Sequence, residues 1–170
     1  NGTGNQALDS LSAMALPAGY TYLDHAATTP MRPQAVAAML PFLSERFANP
    51  SGSHRFAREA RREIDEARDV VAALIGCRPG EVIFTGSGTE ADNTAVLGSV
   101  ARSGGTAVCS ATEHHAVLEC VQHVGGHAVA VTATGEVDLE ALAATLDALV
   151  DVTVVSVMAV NNEVGTITDL

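Results

Sequence analysis

The chain has 170 residues, of which 47% are apolar and 17% charged, a balance that indicates a globular domain with a buried core rather than a disordered segment. Nine basic residues against 20 acidic ones give a formal charge of −11, which repels phosphate backbones and anionic lipid heads, so we expect no nucleic acid and no membrane as partners. Every basic residue is an arginine, which excludes chemistry by a lysine amine of this chain.

The three cysteines, Cys77, Cys109 and Cys120, are odd in number and widely spaced, which favours reduced thiols and a cytoplasmic protein. No apolar run reaches the roughly 20 residues that cross a bilayer, and the first residues do not follow the pattern of a secretory signal. Residues Asn1–Gly19 are small and polar, so we predict a flexible N-terminal tail there and a folded domain over residues 20–170.

Two helices are predicted in the first half of this domain. The first lies between Arg32 and Phe47. The second starts at Ser53, where apolar residues recur at three- and four-residue spacing, and Gly76 ends it. The face opposite the apolar residues carries i,i+4 pairs of opposite charge, namely Arg61 with Asp65 and Arg62 with Glu66.

Four short runs of β-branched and small residues then predict strands, and the first three are each followed by a candidate helix. This alternation predicts an α/β fold with a mostly parallel sheet and helices on both faces, which binds ligands at the carboxyl ends of its strands. The predicted strands are Glu81–Phe84, Thr106–Ser110, Ala128–Val131 and Val152–Met158, and the helices are Gly88–Arg102, His115–His123 and Leu139–Leu149.

The first of these strands leads into a glycine-rich turn at the start of a helix. Glycines allow the backbone to approach an anion closely, and the free N–H groups at Gly88 and Thr89, with the Thr89 hydroxyl, could bind a phosphate. A purely structural alternative is that Thr89 caps the helix.

The same turn also satisfies the dinucleotide-binding pattern through Gly86, Gly88 and Ala91, which keeps a nucleotide-binding Rossmann domain as an alternative. Glu90 and Asp92 place carboxylates in the first helical turn, where a pyrophosphate would bring two more negative charges. The turn therefore favours a single phosphate.

Two histidines, His114 and His115, follow the second predicted strand, which ends at Ser110. A flat ring at a strand end could stack on a flat cofactor. Metal binding by His115, Glu119 and His123 is the competing hypothesis, but the outer two residues lie roughly 12 Å apart along a helix, so we predict no metal site.

Two adjacent amides, Asn161 and Asn162, follow the fourth predicted strand. Amides supply neutral hydrogen bonds to a ligand without adding charge. An Asn-Asn pair is also typical of a turn.

Five segments occur in a fixed order and spacing, namely Tyr22–Pro30, Asn49–His54, Gly88–Glu90, Thr112–Val117 and Val160–Gly165. Together they resemble the cysteine desulfurases, which are enzymes of the class V aminotransferase family that use pyridoxal 5'-phosphate (PLP). The resemblance covers about residues 20 to 170. It implies the large domain of a PLP-dependent transferase of fold type I, similar to aspartate aminotransferase, with the N-terminal arm and the first part of that domain present.

The resemblance also implies roles for individual residues. Gly88 and Thr89 would hold the cofactor phosphate, and Asn162 would bond the ring oxygen. His114 would lie over the pyridine ring and serve as a catalytic residue that moves protons. The residues implied on the substrate side are Asp24, His25, Ala26 and Asn49.

The implied reaction removes sulfur from L-cysteine, giving L-alanine and an enzyme persulfide for iron–sulfur cluster or tRNA thiolation pathways. The family works as homodimers with a sulfur-acceptor or scaffold protein. Its cofactor-linked lysine and acceptor cysteine belong to segments downstream of Leu170, so we expect this chain to be part of a longer polypeptide and inactive alone. The alternatives are a selenocysteine lyase, another class V enzyme, and a non-catalytic binding or scaffold protein of the same fold.

Overall fold

The computed structural model describes residues 18–169 and divides into two compact units, one ending at Ile83 and the other beginning at Phe84. The tail predicted over Asn1–Gly19 lies outside the described residues except for Ala18 and Gly19. Within the described part, no helix combines the length and the apolar character needed to cross a membrane.

The first unit contains the two predicted helices, α1 (Pro33–Ser44) and α2 (Arg55–Ile75). Helix α2 begins where Nδ1 of His54 accepts a hydrogen bond from the N–H of Ala57 at 3.2 Å. It ends at Gly76, whose φ of 74° is a left-handed conformation that costs glycine little because it has no Cβ. The predicted position of this helix end is confirmed.

Both charged pairs predicted on α2 are present, Arg61 with Asp65 and Arg62 with Glu66, each at 3.5 Å between nitrogen and oxygen. Such exposed pairs contribute about 0.3–0.5 kcal/mol each. The apolar side of the helix is buried only in part, because Ala57 and Ala72 are buried whereas other apolar residues of the helix remain at the surface.

The prediction of a strand over Glu81–Phe84 is wrong. A short 3₁₀ helix covers Pro79–Glu81, and Val82 has an extended backbone (φ −90°, ψ 122°) that pairs with no strand among the described residues. Ile83 and Phe84 are 72% and 49% exposed. The β-branched residues gave this run the propensity of a strand, but a strand forms only where a neighbouring strand pairs with it.

The second unit is an α/β arrangement whose sheet has the order β2-β1-β3, with both neighbouring pairs parallel, as predicted. Strands β2 and β3 are shorter than predicted; Val131, for example, leaves β2 to form an isolated antiparallel bridge with Val137. The elements are α3 (Gly88–Ser103), β1 (Thr106–Ser110), α4 (His115–His123), β2 (His127–Val129), α5 (Leu139–Ala148) and β3 (Val152–Ser156).

Strand β1 is the centre of the core, and its side chains alternate between the two faces of the sheet. Ala107 and Cys109 pack in a cluster with residues of α3 and α4, including Val96 and Val121. Val108 packs on the other side, in a cluster that residues of α5 join. The prediction of helices on both faces is therefore confirmed, and the loops after β1 and β3 lie at the same edge of the sheet.

Candidate cofactor site

His114 and Asn162 line one cavity of about 280 Å³. Each residue lies in the loop after a strand, His114 after β1 and Asn162 after β3, and the two strands are parallel neighbours. The volume is close to the lower end of the range for small-molecule sites, roughly 300–1,000 Å³. The other lining residues are Ala111, Thr112, Glu113, His115, Leu118, Asn161, Glu163 and Val164.

The ring of His114 is fixed at the start of helix α4. Its Nδ1 accepts a hydrogen bond from the N–H of Ala116 at 3.1 Å, so the imidazole is the N-cap of this helix. A nitrogen that accepts carries no proton, which assigns the ring proton to Nε2. One edge of the exposed ring is therefore anchored, while Nε2–H and the faces of the ring are available to a ligand.

The two adjacent asparagines differ in their hydrogen bonds. Asn161 donates from Nδ2 to the carbonyl oxygen of Thr112 at 3.0 Å, and its Oδ1 accepts from the N–H groups of Glu163 (2.9 Å) and Val164 (3.0 Å). Asn162 is exposed, and its amide makes no hydrogen bond with the described residues. The turn expected of an Asn-Asn pair is thus formed by Asn161, and Asn162 presents its amide to the cavity.

Thr89 does not line this cavity. It lines a second one of about 310 Å³ between α3 and α4, and His115 borders both cavities. Asn93 joins the two regions, because its amide nitrogen faces the carbonyl oxygens of Thr89 (3.2 Å) and Ala116 (2.9 Å) in the orientation that satisfies both. The N–H of Ala116 in turn anchors the His114 ring. Asn93 is therefore linked to Thr89 directly and to His114 through Ala116.

Ser87, not Thr89, caps helix α3, since its hydroxyl oxygen accepts from the N–H of Glu90 at 3.2 Å. The alternative that Thr89 caps the helix is therefore wrong. The Thr89 hydroxyl makes no hydrogen bond among the described residues, and a helix offers no internal acceptor to the N–H groups of its first residues, here Gly88 and Thr89. These donors can bind a phosphate.

The carboxylate of Glu90 turns back and accepts from the N–H of Gly86 at 2.7 Å. This hydrogen bond occupies the first N–H of the glycine-rich turn and places a negative charge beside it. A dinucleotide pyrophosphate would need that N–H, which the Glu90 carboxylate already occupies. The arrangement therefore favours one phosphate at Gly88 and Thr89 over a Rossmann nucleotide.

Glu113 is a residue of this site for which the sequence predicted no role. It is only 9% exposed, and its carboxylate accepts from the hydroxyl of Ser156 (3.0 Å) and from the N–H of Met158 (2.5 Å). Charged residues are seldom buried, so residue type alone gave no reason to expect it. The available signal was its position, at the end of a central strand and beside His114.

Two of the three free cysteines are buried, as predicted for Cys109. Burial, and secondarily the charge of Glu113, raises the pKa of the Cys109 thiol to about 11. Burial also raises the pKa of Cys120, with smaller contributions from Asp92 and Glu119. Both side chains are therefore neutral thiols at physiological pH and poor nucleophiles.

The described side chains do not support metal binding by His115, Glu119 and His123. Across residues 18–169, no group of three or more His, Cys, Asp or Glu side chains is arranged to hold a metal ion. His123 is the exposed last residue of α4, as its alternative interpretation predicted.

The residues implied on the substrate side belong to the first unit. The carbonyl oxygen of Asp24 closes a turn by accepting from the N–H of Ala27 at 3.2 Å, and Nδ1 of His25 lies 3.2 Å from the Thr29 hydroxyl. Ala26 is exposed within this turn.

In the following loop, Oδ1 of Asn49 accepts from the N–H of Ser51 at 3.0 Å, so this amide stabilises the loop itself. A substrate-side role for Asp24, His25, Ala26 and Asn49 stays a prediction.

Comparisons with known proteins agree on one family. The family model described as Aminotransferase class-V matches residues 21–170. An IscS-like cysteine desulfurase of Mycobacterium tuberculosis is 47% identical over 158 residues, which cover 86% of this chain and 40% of that protein. The chain thus spans about 40% of the length of the curated relative.

Solved structures give the same fold. A NifS-like protein superposes with a TM-score of 0.76 at 34% identity, covering 87% of this chain and 42% of the other. SspA in complex with cysteine superposes with a TM-score of 0.73 at 30% identity, covering 88% of this chain and 45% of the other. The architecture is therefore that of the PLP-dependent transferases of fold type I, of which this chain contains an incomplete α/β domain.

Proposed function

The chain belongs to the aminotransferase class-V family, and from this premise we propose that it is the cofactor-binding part of a PLP-dependent cysteine desulfurase. The observation that carries the proposal is the cavity shared by His114 and Asn162 in a chain whose relatives are named cysteine desulfurases. L-cysteine as the substrate is supported by the fold relative solved in complex with cysteine.

The chemistry of two residue sets suits the two ends of PLP, and these sets line two different cavities. At the phosphate end, the N–H groups of Gly88 and Thr89 and the Thr89 hydroxyl are donors without a partner in the helix. At the ring end, the exposed imidazole of His114 offers a flat face, and Asn162 offers an uncharged amide. The set matches one dianionic group joined to one flat, polar ring.

PLP supplies an electron sink, which makes the bonds at the α-carbon of an amino acid labile when it is bound. The chain's own residues have simpler tasks. His114 is held by the Ala116 N–H so that its ring lies in one orientation, and Nε2 can exchange a proton with a group above the cavity. Asn162 can donate to an oxygen of the ring without adding charge. Gly88 and Thr89 would hold the phosphate through their N–H groups and the Thr89 hydroxyl.

In the proposed reaction, the sulfur of L-cysteine passes to the thiol of an enzyme cysteine, which becomes a persulfide, and L-alanine is released. The raised pKa values of the buried Cys109 and Cys120 thiols make both unsuited to accept sulfur. The chain also has no lysine to bind the cofactor covalently. None of Cys77, Cys109 and Cys120 lies in the five segments that match the family. We propose that the acceptor cysteine and this lysine are supplied by a longer polypeptide, called the full-length protein below.

The pathway and assembly are part of the same proposal. The full-length protein would act as a cytoplasmic homodimer and pass its sulfur to an acceptor or scaffold protein for iron–sulfur cluster assembly or tRNA thiolation. The IscS names of several relatives support the cluster pathway.

The proposal is tested by incubating the full-length protein with PLP and L-cysteine and measuring alanine and, with a reductant present, sulfide. We expect both products in equal amounts, and we expect neither from the 170-residue chain alone. Selenocysteine is compared under the same conditions, because a marked preference for it would favour a selenocysteine lyase. A full-length protein that binds PLP but releases no alanine would overturn the desulfurase and favour a binding or scaffold role.

A further inference from the structure

Glu113 joins the two loops that carry His114 and Asn162. It lies in the loop after β1, and its carboxylate oxygens bind Ser156, the last residue of the neighbouring strand β3, and Met158, two residues further on. Oε2 accepts from the Ser156 hydroxyl at 3.0 Å, and Oε1 accepts from the Met158 N–H at 2.5 Å. A single side chain thus connects the loop after β1 to the start of the segment after β3.

The carboxylate takes over where the strand pairing stops. Strands β1 and β3 are paired up to Cys109 and Ser156, and β1 then turns away after Ser110. The N–H of Met158 lies beyond the last paired residue, and a half-buried N–H without an acceptor costs about 1–3 kcal/mol. Glu113 supplies the missing acceptor. Its second oxygen then accepts from the Ser156 hydroxyl.

A second hydrogen bond crosses between the same loops, from Nδ2 of Asn161 to the carbonyl oxygen of Thr112. Each of the two anchoring residues is followed directly in the chain by a residue whose side chain lines the cavity. Glu113 precedes His114, and Asn161 precedes Asn162. A change in either anchor would therefore move a cavity residue with it.

The burial of Glu113 needs an explanation beyond charge pairing. No ion pair within the described ranges involves it, so its charge is stabilised by the two hydrogen bonds alone. Burying a carboxylate is costly unless it is hydrogen-bonded. The two hydrogen bonds hold the loop after β1 at a fixed distance from the segment after β3, and residues of both line the cavity.

We propose that Glu113 is a positioning residue that sets the spacing between His114 and Asn162 by holding their two loops together, so that both side chains reach one pyridine ring. The identity of the ring rests on the proposed function. The hydrogen bonds that hold the loops do not.

Three variants of the full-length protein separate hydrogen bonding from charge. Glu113→Gln can keep both bonds without the charge, because its amide oxygen can accept from Met158 and its nitrogen can donate to the Ser156 hydroxyl. Glu113→Ala removes both bonds, and Ser156→Ala removes one of them without touching the loop of His114. Glu140→Ala is the matched control, because Glu140 is an exposed carboxylate of α5 outside the cavity.

The measurements are the affinity of the apo-protein for PLP and the absorbance maximum of the bound cofactor. We expect Glu113→Ala to weaken PLP binding by about tenfold and to shift the maximum, and Glu113→Gln to stay within about threefold of the original protein. Ser156→Ala should fall between them, and Glu140→Ala should change neither quantity. A general loss of stability would reduce the amount of folded protein but would not shift the absorbance maximum of the cofactor bound to it. It would also give no reason for Glu113→Gln to keep the original maximum.

The proposal is overturned if folded Glu113→Ala binds PLP with the original affinity and spectrum, or if Glu113→Gln is as impaired as Glu113→Ala. Should Glu113→Ala fail to fold, Ser156→Ala decides in its place, since an unchanged affinity and spectrum in that variant would contradict the proposal. Failure of the proposed function is distinguishable, because it would appear in the original protein itself, either as no PLP binding or as PLP binding without release of alanine.

Discussion

Asn161 donates a hydrogen bond from its side chain to the carbonyl oxygen of Thr112, across the gap between the loops after two neighbouring parallel strands. Its oxygen accepts two further bonds from the turn that follows. The amide of Asn161 therefore makes three hydrogen bonds within the protein, while the amide of Asn162, one residue later, lines the cavity without such bonds.

This difference in hydrogen bonding predicts that substitution of Asn161 affects stability, whereas substitution of Asn162 affects cofactor binding. Asn161→Ala loses three hydrogen bonds and should lower the free energy of unfolding by about 1–3 kcal/mol. Asn162→Ala should change it by less than about 0.5 kcal/mol and instead weaken PLP binding. Urea unfolding and cofactor titration of the full-length protein measure the two effects. Equal destabilisation by both substitutions would show that the amides share the structural role.

The sequence could predict the parts of the fold that local patterns specify. Strand β1 and helix α4 have the predicted bounds, because a run of small and β-branched residues and an amphipathic segment each specify their own element. The parallel order of strands then brings His114 and Asn162 to one edge. The prediction over Glu81–Phe84 failed because pairing is not a local property: its residues have strand propensity, but the run begins in a 3₁₀ helix and belongs to none of the described strands.

The details of the site depended on tertiary contacts that residue types do not reveal. Ser87 and Thr89 are both good capping residues, and only the structure shows that Ser87 caps the helix. In the same way, the burial of Glu113 results from an acceptor needed at Met158, which follows from where the pairing of two strands ends.

The separate roles of Ser87 and Thr89 can be tested with PLP and with pyridoxal, which lacks the phosphate. Thr89→Val removes a donor to the phosphate, so it should weaken binding of PLP by about tenfold and leave binding of pyridoxal unchanged. Thr89→Ser, which keeps the hydroxyl, should retain most of the affinity. Ser87→Ala should instead lower the free energy of unfolding by about 1 kcal/mol, since it removes the N-cap. A loss of pyridoxal binding in Thr89→Val would contradict a phosphate-specific role.

The pKa of Cys109 predicts how stability depends on pH. Burial raises this pKa to about 11 from an ordinary value of 9.0, so between these pH values the unfolded chain loses the thiol proton while the folded chain keeps it. Stability falls as pH rises wherever the unfolded state binds fewer protons, so this contribution is present below pH 9 and is lost toward pH 11.

Urea unfolding at several pH values, with Cys109→Ala as the reference, isolates that contribution from all other titrating groups. We expect the stability advantage of the original protein over Cys109→Ala to shrink between pH 9 and 11. An advantage that stays constant over this interval would mean that the thiol titrates alike in the folded and unfolded states.

His114 combines an N-cap and an aromatic face, and two substitutions separate these properties. Asn is a good N-cap without an aromatic ring, so His114→Asn should keep the free energy of unfolding within about 0.5 kcal/mol and lose stacking on the cofactor ring. Phe has the ring but cannot accept from the Ala116 N–H, so His114→Phe should be less stable by about 1 kcal/mol. Its affinity for PLP should nevertheless exceed that of His114→Asn, because a flat face remains over the cavity.

Both quantities are measured on the full-length protein, by urea unfolding and by absorbance titration with PLP. If His114→Asn bound PLP more tightly than His114→Phe, the orientation of the loop rather than stacking would be the contribution of this residue, since only the capping bond is preserved in that variant.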